Sequence, residues 1–422
     1  PLDAYLLKRL SPPGRSPDSL DVVLSSLTDA TCRQLVLEIL PPLTILDPAC
    51  GSGRWLLMAL ARLQTVYEAC WAYAQTATDS ALQAWVRSLR AAAQPPQWVW
   101  TQHILTQNLY GVDESAEAIA VTQLQLWLSQ LATTPAIAPA VPLADLDFTI
   151  VQGNALIGFI RVDAESFDQI SPKRSLADDE AVLQGDLLQP LAAASYHDTL
   201  AEKKIRGEQY QAQTQALSSE GSLPEYARTE FLRDRLHDVN HTTQQKLDRL
   251  LLEMLSRKLG IKVPELQPSG KSRQRLLTPG DISTLRPLHW GFCVNHVFER
   301  RGGFDVIMTH RPRGSLRPHS GEFYHHQADL FHQYGIEAAA WRRSRRQILL
   351  QFPELLARWN RYAAAIACLK AYVRRSDDYP AWSPAPPCPT LPHDSVLAHR
   401  CHALTHGESA PPYLHPPRPD PV

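Results

Sequence analysis

The stretch Asp47-Pro48-Ala49-Cys50-Gly51-Ser52-Gly53 constrains this chain more than any other. It follows a short apolar run, residues 43–46 (Leu-Thr-Ile-Leu), which ends in the acid and reads as a buried strand. It precedes a long apolar-rich segment, Trp55 to Tyr73, which reads as a helix. Two glycines in such a turn let the backbone pass close to a ligand with no Cβ in the way. The helix start beyond them presents free N–H groups to an anionic group. Leu56 stands where the third glycine of a dinucleotide G-x-G-x-x-G would be, and the GK[ST] of a P-loop is missing, so neither fingerprint is present.

The same grammar recurs along the chain. Residues 108–112 (Asn-Leu-Tyr-Gly-Val) predict a second strand ending at Asp113. A helix follows, with Val121, Leu124, Leu128 and Leu131 at i, i+3, i+7 and i+10, and Pro135, Pro139 and Pro142 end it. Residues 147–151 (Asp-Phe-Thr-Ile-Val) predict a third strand, closed by Gly153-Asn154, and residues 304–308 (Phe-Asp-Val-Ile-Met) a fourth. Strands alternating with helices predict a parallel α/β sheet. Ligands of such sheets bind beyond the carboxyl ends of the strands, where all of this glycine and acidic punctuation falls.

The remaining segments set the expected organisation. Residues 1–40 read as an N-terminal helical segment around a Pro/Gly/Ser stretch, Ser11 to Pro17, and 41–160 as the α/β domain. Residues 161–288 are charged and Gln-rich and read as a helical insertion. Residues 289–380 read as the rest of the α/β domain, with arginine-rich helices over 337–375. From Pro380 onward, 12 of 43 positions are proline, so 381–422 reads as a Pro/His-rich disordered tail.

Composition bounds the rest. A chain of 422 residues predicts about two to three domains. Its formal charge of -1 excludes a protein basic throughout, but not a local basic patch. It contains no apolar run of about 18 residues, which argues against a membrane-spanning helix, and no leader pattern stands at its start. A first residue of Pro1 reads as a fragment. The seven cysteines (Cys32, Cys50, Cys70, Cys293, Cys368, Cys388, Cys401) form no C-x-x-C pair and read as reduced thiols of a cytosolic protein. His325-His326 and His332 lack metal-ligand spacing, so no metal is expected. Pro17-Asp18 lacks a partner for a nuclease P-D…(D/E)-x-K pattern, so no cleavage site is assigned.

Asp47 to Gly53, as DPACGSG, resembles the cofactor-binding motif of S-adenosylmethionine-dependent DNA methyltransferases acting on the adenine amine. The resemblance implies a Rossmann-like methyltransferase sheet. It also implies a cofactor loop of Asp47, Pro48, Ala49, Cys50, Gly51 and Gly53, with the cofactor's methionine end nearby. Leu109-Tyr110-Gly111-Val112-Asp113, continuing from Ala118 through Trp127-Leu128-Ser129, resembles the fused restriction–modification methylases of type IIG. A carboxylate at Asp113 can accept both hydroxyls of a ribose, and an N-cap role there stays open. Val151-Gln152-Gly153-Asn154-Ala155-Leu156 sits where this family places a polar residue against the cofactor's adenine. Asn154 has the donor and acceptor for paired amide bonds, and a plain turn asparagine stays open.

The fourth block departs from the family. His289-Trp290, His296 to Arg300 and Gly303 to Met308 follow the family's approach to its catalytic loop, which then reads Asn-Pro-Pro-aromatic. Here those positions are His310, Arg311, Pro312 and Arg313. In the family, an Asn oxygen and a proline carbonyl accept the two hydrogens of the adenine amine, and an aromatic ring stacks on the flipped base. A neutral His310 offers one acceptor nitrogen, the Arg311 carbonyl another, and Arg313 a planar guanidinium for stacking. Two arginines beside His310 oppose positive charge developing on the amine. Leu316-Arg317-Pro318, Gly321 to Tyr324, Trp359, Tyr362 and Asp378-Tyr379-Pro380 resume the resemblance, which stops after Pro380.

Residues 337–375 carry nine Lys/Arg against two Glu, with Arg342, Arg343, Arg345 and Arg346 in one cluster that suits DNA phosphates. A solvated helix face is the alternative. The resemblance thus implies a cytoplasmic module that methylates the adenine N6 amine of double-stranded DNA in a restriction–modification or phage-defence system, without its target-recognition or nuclease region. Two other readings stay open: an inactive, truncated remnant that binds cofactor or DNA only, and an RNA methyltransferase.

Overall fold

The computed structural model describes residues 1–10, 19–92, 94–133, 143–170, 195–216, 223–310, 315–380 and 391–405. The strands are β1 (Ile45–Asp47), β2 (Leu109–Asp113), β3 (Ile150–Gln152), β4 (Lys262–Leu266), β5 (Ser272–Leu276) and β6 (Val306–Ile307). Four of them form one parallel sheet in the order β3-β2-β1-β6. Ile45 lies opposite Leu109 on one side and Val306 on the other, and Gly111 lies opposite Ile150. The chain moves outward from β1 through β2 to β3 and returns on the far side of β1 for β6. This mixed but mostly helical α/β arrangement is compatible with a Rossmann-like fold, whose ligand crevice opens where the strand order reverses. In this chain that point lies between β1 and β6.

The sheet is buried on both faces, as parallel sheets are. Ile45, Leu109, Ile150 and Val306 join a core with the N-terminal helices (Leu2–Leu10, Leu20–Ser25, Asp29–Arg33) and the helix Arg54–Ala74. Leu46, Tyr110 and Val112 face a second core built on Trp290, Phe304 and Leu404.

Two expectations need correction. The stripe Val121, Leu124, Leu128 and Leu131 is on the expected helix, Ala116–Leu131, and faces outward, with exposures of 42%, 52%, 55% and 47%. The buried face carries Ile119, Thr122, Leu126 and Gln130, with Thr122 bonded to Gly51 O of the glycine turn and Gln130 Oε1 accepting the Ala144 N–H. The 161–288 region contains long helices, Tyr196–Ala216 and Leu223–Glu253, but also the antiparallel hairpin β4-β5, which its sequence pattern did not suggest. The tail expected to be disordered is ordered over residues 391–405. The helix His393–Leu404 buries Val396, Leu397, Arg400 and Leu404, so enough apolar surface is covered to hold it. Ser11 to Pro17, residues 381–390 and residues 406–422 lie outside the described residues.

Candidate active site

The loop after β1 is built from its own polar atoms and one long-range bond. Asp47 ends the strand fully buried. Its Oδ1 accepts the Ala49 N–H at 3.2 Å, while its Oδ2 has no partner. Burial raises the Asp47 carboxyl to about 6, and the Asp113 charge nearby adds to this. Pro48 is buried, and the Cys50 N–H donates to Val112 O at 2.9 Å, tying the loop to β2. The Cys50 side chain points inward, where burial pushes its thiol up to about 12, so it is not a nucleophile.

The two glycines do different work. Gly51 has φ +54°, and a Cβ built on it would meet nothing within 4 Å, so its outer side is open. Gly53 has φ +81°, and its Cβ would lie 2.7 Å from Thr122 Cγ2. It also caps the 21-residue helix Arg54–Ala74 without any side-chain hydrogen bond, leaving the first N–H groups of that helix unsatisfied by a cap. Thr122, which the sequence pattern hid among leucines, donates its hydroxyl to Gly51 O at 2.8 Å.

Asp113 ends β2 half-buried. Its Oδ2 accepts the Gly51 N–H at 2.9 Å and its Oδ1 accepts the Ser115 N–H at 2.9 Å. The N-cap of the next helix is Ser115, whose hydroxyl accepts from Ala118 N–H at 3.1 Å, so Asp113 is not that cap. Each Asp113 oxygen keeps a second lone pair for another donor.

Asn154 follows β3 and is buried. Its Oδ1 accepts the Leu156 N–H at 2.9 Å, an Asx turn, and its N–H donates to Arg286 O at 2.7 Å. Arg286 adopts a left-handed φ of +46°, the only such non-glycine residue among those described, and its Nη1 donates to Glu114 O at 3.0 Å. It therefore links the ends of β2 and β3.

His310 lies just past β6, exposed, close to the reversal point of the strand order. The preceding Thr309 hydroxyl is buried beside the Asp47 carboxyl and partly offsets the rise that burial causes there, and Met308 N–H donates to Leu46 O at 2.9 Å. Arg311, Pro312 and Arg313 lie outside the described residues. Arg342, Arg343, Arg345 and Arg346 are exposed on the helix Ala338–Gln351, which kinks at Ser344. Arg345 lies 4.8 Å from the Trp359 ring, and Arg346 Nη2 donates to Gly270 O at 2.7 Å, in the β4-β5 turn. They sit on a separate surface helix, not on the loops at the strand ends.

The structure thus joins Gly51 to Asp113 by a direct hydrogen bond, with Asp47 and Gly53 in the same turn. The open side of Gly51 and the uncapped helix start suit an anionic group of a ligand.

In sequence comparison, 302 residues covering 66% of this chain are 24% identical to a protein of Methanocaldococcus jannaschii described as "Putative type II restriction enzyme and methyltransferase". They cover 23% of that protein, so the chain spans about a quarter of the length of this relative. No family model and no solved structure matches.

Proposed function

We propose that this chain is the S-adenosylmethionine-binding part of a DNA methyltransferase of a restriction–modification system, acting on the adenine N6 amine. One observation carries the reading. A DPACGSG turn at the end of β1 is bonded through its Gly51 N–H to the acid ending β2, at the ligand end of a parallel sheet. The Methanocaldococcus relative supports it, since its description names methyltransferase and restriction activities.

When bound, the cofactor supplies an electrophilic methyl group on a sulfonium. This chain's residues hold and orient it. The backbone of Pro48, Ala49, Cys50, Gly51 and Gly53 lines the amino-acid end, and the Asp47 carboxylate faces its cationic amine. Asp113 accepts the ribose hydroxyls on its remaining lone pairs, and the Asn154 amide faces the adenine. Positioning and electrostatics do most of the work in such a transfer. His310 and the Arg311 carbonyl are the candidate acceptors for the target amine, and Arg313 the candidate stacking group. The arginine cluster Arg342 to Arg346 serves the phosphates of double-stranded DNA.

A second reading is favoured by one specific observation. Positions 310–313 read His-Arg-Pro-Arg where the family reads Asn-Pro-Pro-aromatic, which points to a protein that binds cofactor and DNA without transfer. Transfer of tritiated methyl from S-adenosylmethionine to duplex DNA or to RNA decides between them. Label on DNA in the natural chain supports the first reading. Label only in the variant His310→Asn, Arg311→Pro, Arg313→Trp supports the second. Label on RNA alone, at equal salt, replaces both with an RNA methyltransferase.

A further inference from the structure

Arg400 has no exposed surface, although it lies in the segment whose sequence reads as disordered. Its Nε donates to Ala155 O at 3.2 Å and its Nη2 to Gly158 O at 2.5 Å, and its Nη1 pairs with Asp378 Oδ2 at 3.1 Å. Tyr379, whose ring centre is 5.8 Å from the guanidinium, donates its hydroxyl to Leu156 O at 2.5 Å. Trp290 Nε1 adds a second donor to Ala155 O at 3.2 Å. Carbonyls of three of the five residues from Asn154 to Gly158 are therefore gripped from behind. The loop has no slack: Gly158 has φ +122°, and a Cβ there would lie 2.2 Å from Leu288 O.

The same helix continues beneath the sheet, from the loop after β3 to the amino end of β6. Cys401 packs in the cluster that includes Ala49, and Leu404 O accepts the Phe304 N–H at 2.9 Å just before β6. Thr405 then runs parallel beside Phe304.

We infer that Arg400, carried on the helix His393–Leu404, is a positioning residue for the loop Asn154–Gly158. The inference rests on the proposed cofactor reading. A buried guanidinium is tolerated only with its donors satisfied, so those carbonyls and the guanidinium fix one another. Lysine cannot reproduce the fork, because an ammonium is a point charge with no planar pair of donors. By holding the loop, Arg400 sets where the Asn154 amide lies without touching the ligand.

The test compares Arg400→Lys, Arg400→Met and Tyr379→Phe in the full chain. Hydrogen exchange at the Leu156 and Ile157 amides is read without added ligand, and S-adenosylmethionine affinity is read by calorimetry. Arg400→Met is expected to speed exchange there at least tenfold relative to the helix Arg54–Ala74 and to weaken the cofactor at least tenfold. Arg400→Lys should be intermediate, and Tyr379→Phe smaller in the same direction. If Arg400→Met does not fold, the other two variants decide. Folded variants with unchanged exchange at these amides overturn the brace. Faster exchange with unchanged affinity overturns the positioning role. A natural chain that binds no S-adenosylmethionine overturns the cofactor reading and with it the positioning role, while the exchange data still show whether the brace exists.

Discussion

The Asp113 carboxylate accepts the N–H of Gly51, 62 residues away, at 2.9 Å, and so locks the end of β2 to the glycine turn after β1. Its other oxygen holds Ser115 N–H at the start of the next helix. One side chain therefore shapes both walls of the candidate cofactor site. Hydrogen bonds to a charged acceptor contribute roughly 1.5–3 kcal/mol each. Asp113→Ala is expected to lower the melting temperature and to weaken S-adenosylmethionine at least tenfold. Asp113→Asn keeps one acceptor oxygen and should lie between. Thermal melting and calorimetry of the three proteins check the order.

Gly53→Ala forces a side chain onto a left-handed backbone and drives its Cβ to 2.7 Å from Thr122 Cγ2. A loss of about 1–3 kcal/mol is expected from overpacking and strain together. Thr122→Ser removes the clashing methyl but keeps the hydroxyl on Gly51 O, so it should recover part of that loss. Urea unfolding of the double-mutant cycle reads the coupling. Strict additivity would show that the clash with Thr122 is not the cause.

Cofactor binding should depend on pH through Asp47. Its carboxyl, raised to about 6, is partly protonated near neutrality, and a cationic amine beside Oδ2 would favour the ionised form. Affinity is expected to fall as pH drops below about 6, with proton release on binding. Asp47→Asn should flatten that profile. An unchanged profile would remove Asp47 from the site.

Stability has the opposite contributor. His296, hydrogen-bonded to Tyr110 at 2.9 Å, is lowered to about 4, chiefly by burial, with Lys203 and Arg300 adding. The buried His289 is lowered in the same direction, mainly by burial and against the pull of Asp248. A histidine held neutral in the fold binds its proton first in the unfolded chain. Its contribution is present above the ordinary histidine range and is lost as pH falls from about 6.5 toward 4. Asp47 works the other way, since a raised carboxyl contributes stability below the ordinary carboxylate range and loses it as pH rises through about 6. Glu114 is raised as Asp47 is, but five lowered histidines (His103, His289, His296, His393 and His399) outnumber these two carboxyls and predict a net fall in melting temperature across that acid window. His296→Gln should make the fall shallower.

The arginine cluster predicts salt-dependent DNA affinity. Each phosphate that an arginine no longer neutralises should reduce the log–log salt slope by about 0.9. Replacing Arg342, Arg343, Arg345 and Arg346 with Gln should therefore flatten it by about 2–4. A slope that does not move would assign those residues to a solvated face.

The sheet was legible because three of its four strands are short apolar runs stopped by an acid or glycine, at Asp47, Asp113 and Gly153, and β6 lies in a fourth such run without that stop. The hairpin β4-β5 was not. Strand β5 reads Ser-Arg-Gln-Arg-Leu and is almost wholly exposed, and Pro264 interrupts β4, so neither shows the alternation that marks a half-buried strand. The helix Ala116–Leu131 was legible from its leucine spacing, but the role of Thr122, which bonds the glycine turn, was not. The helix His393–Leu404 was hidden by the prolines around it, and by a buried cation, Arg400, that composition places at the surface. For the candidate site, the family resemblance singled out Asp47, Gly51, Gly53 and Asp113, which lie at the ends of β1 and β2. Arg286 and Tyr379 were not, because their roles arise from hydrogen bonds between residues more than 100 positions apart.

Calorimetric titration of the purified chain with S-adenosylmethionine, beside Asp113→Ala, tests the central claim most directly. Saturable one-site binding by the natural chain, lost or weakened at least tenfold in a folded Asp113→Ala, is the predicted result. A folded natural chain that takes up no cofactor would contradict the account.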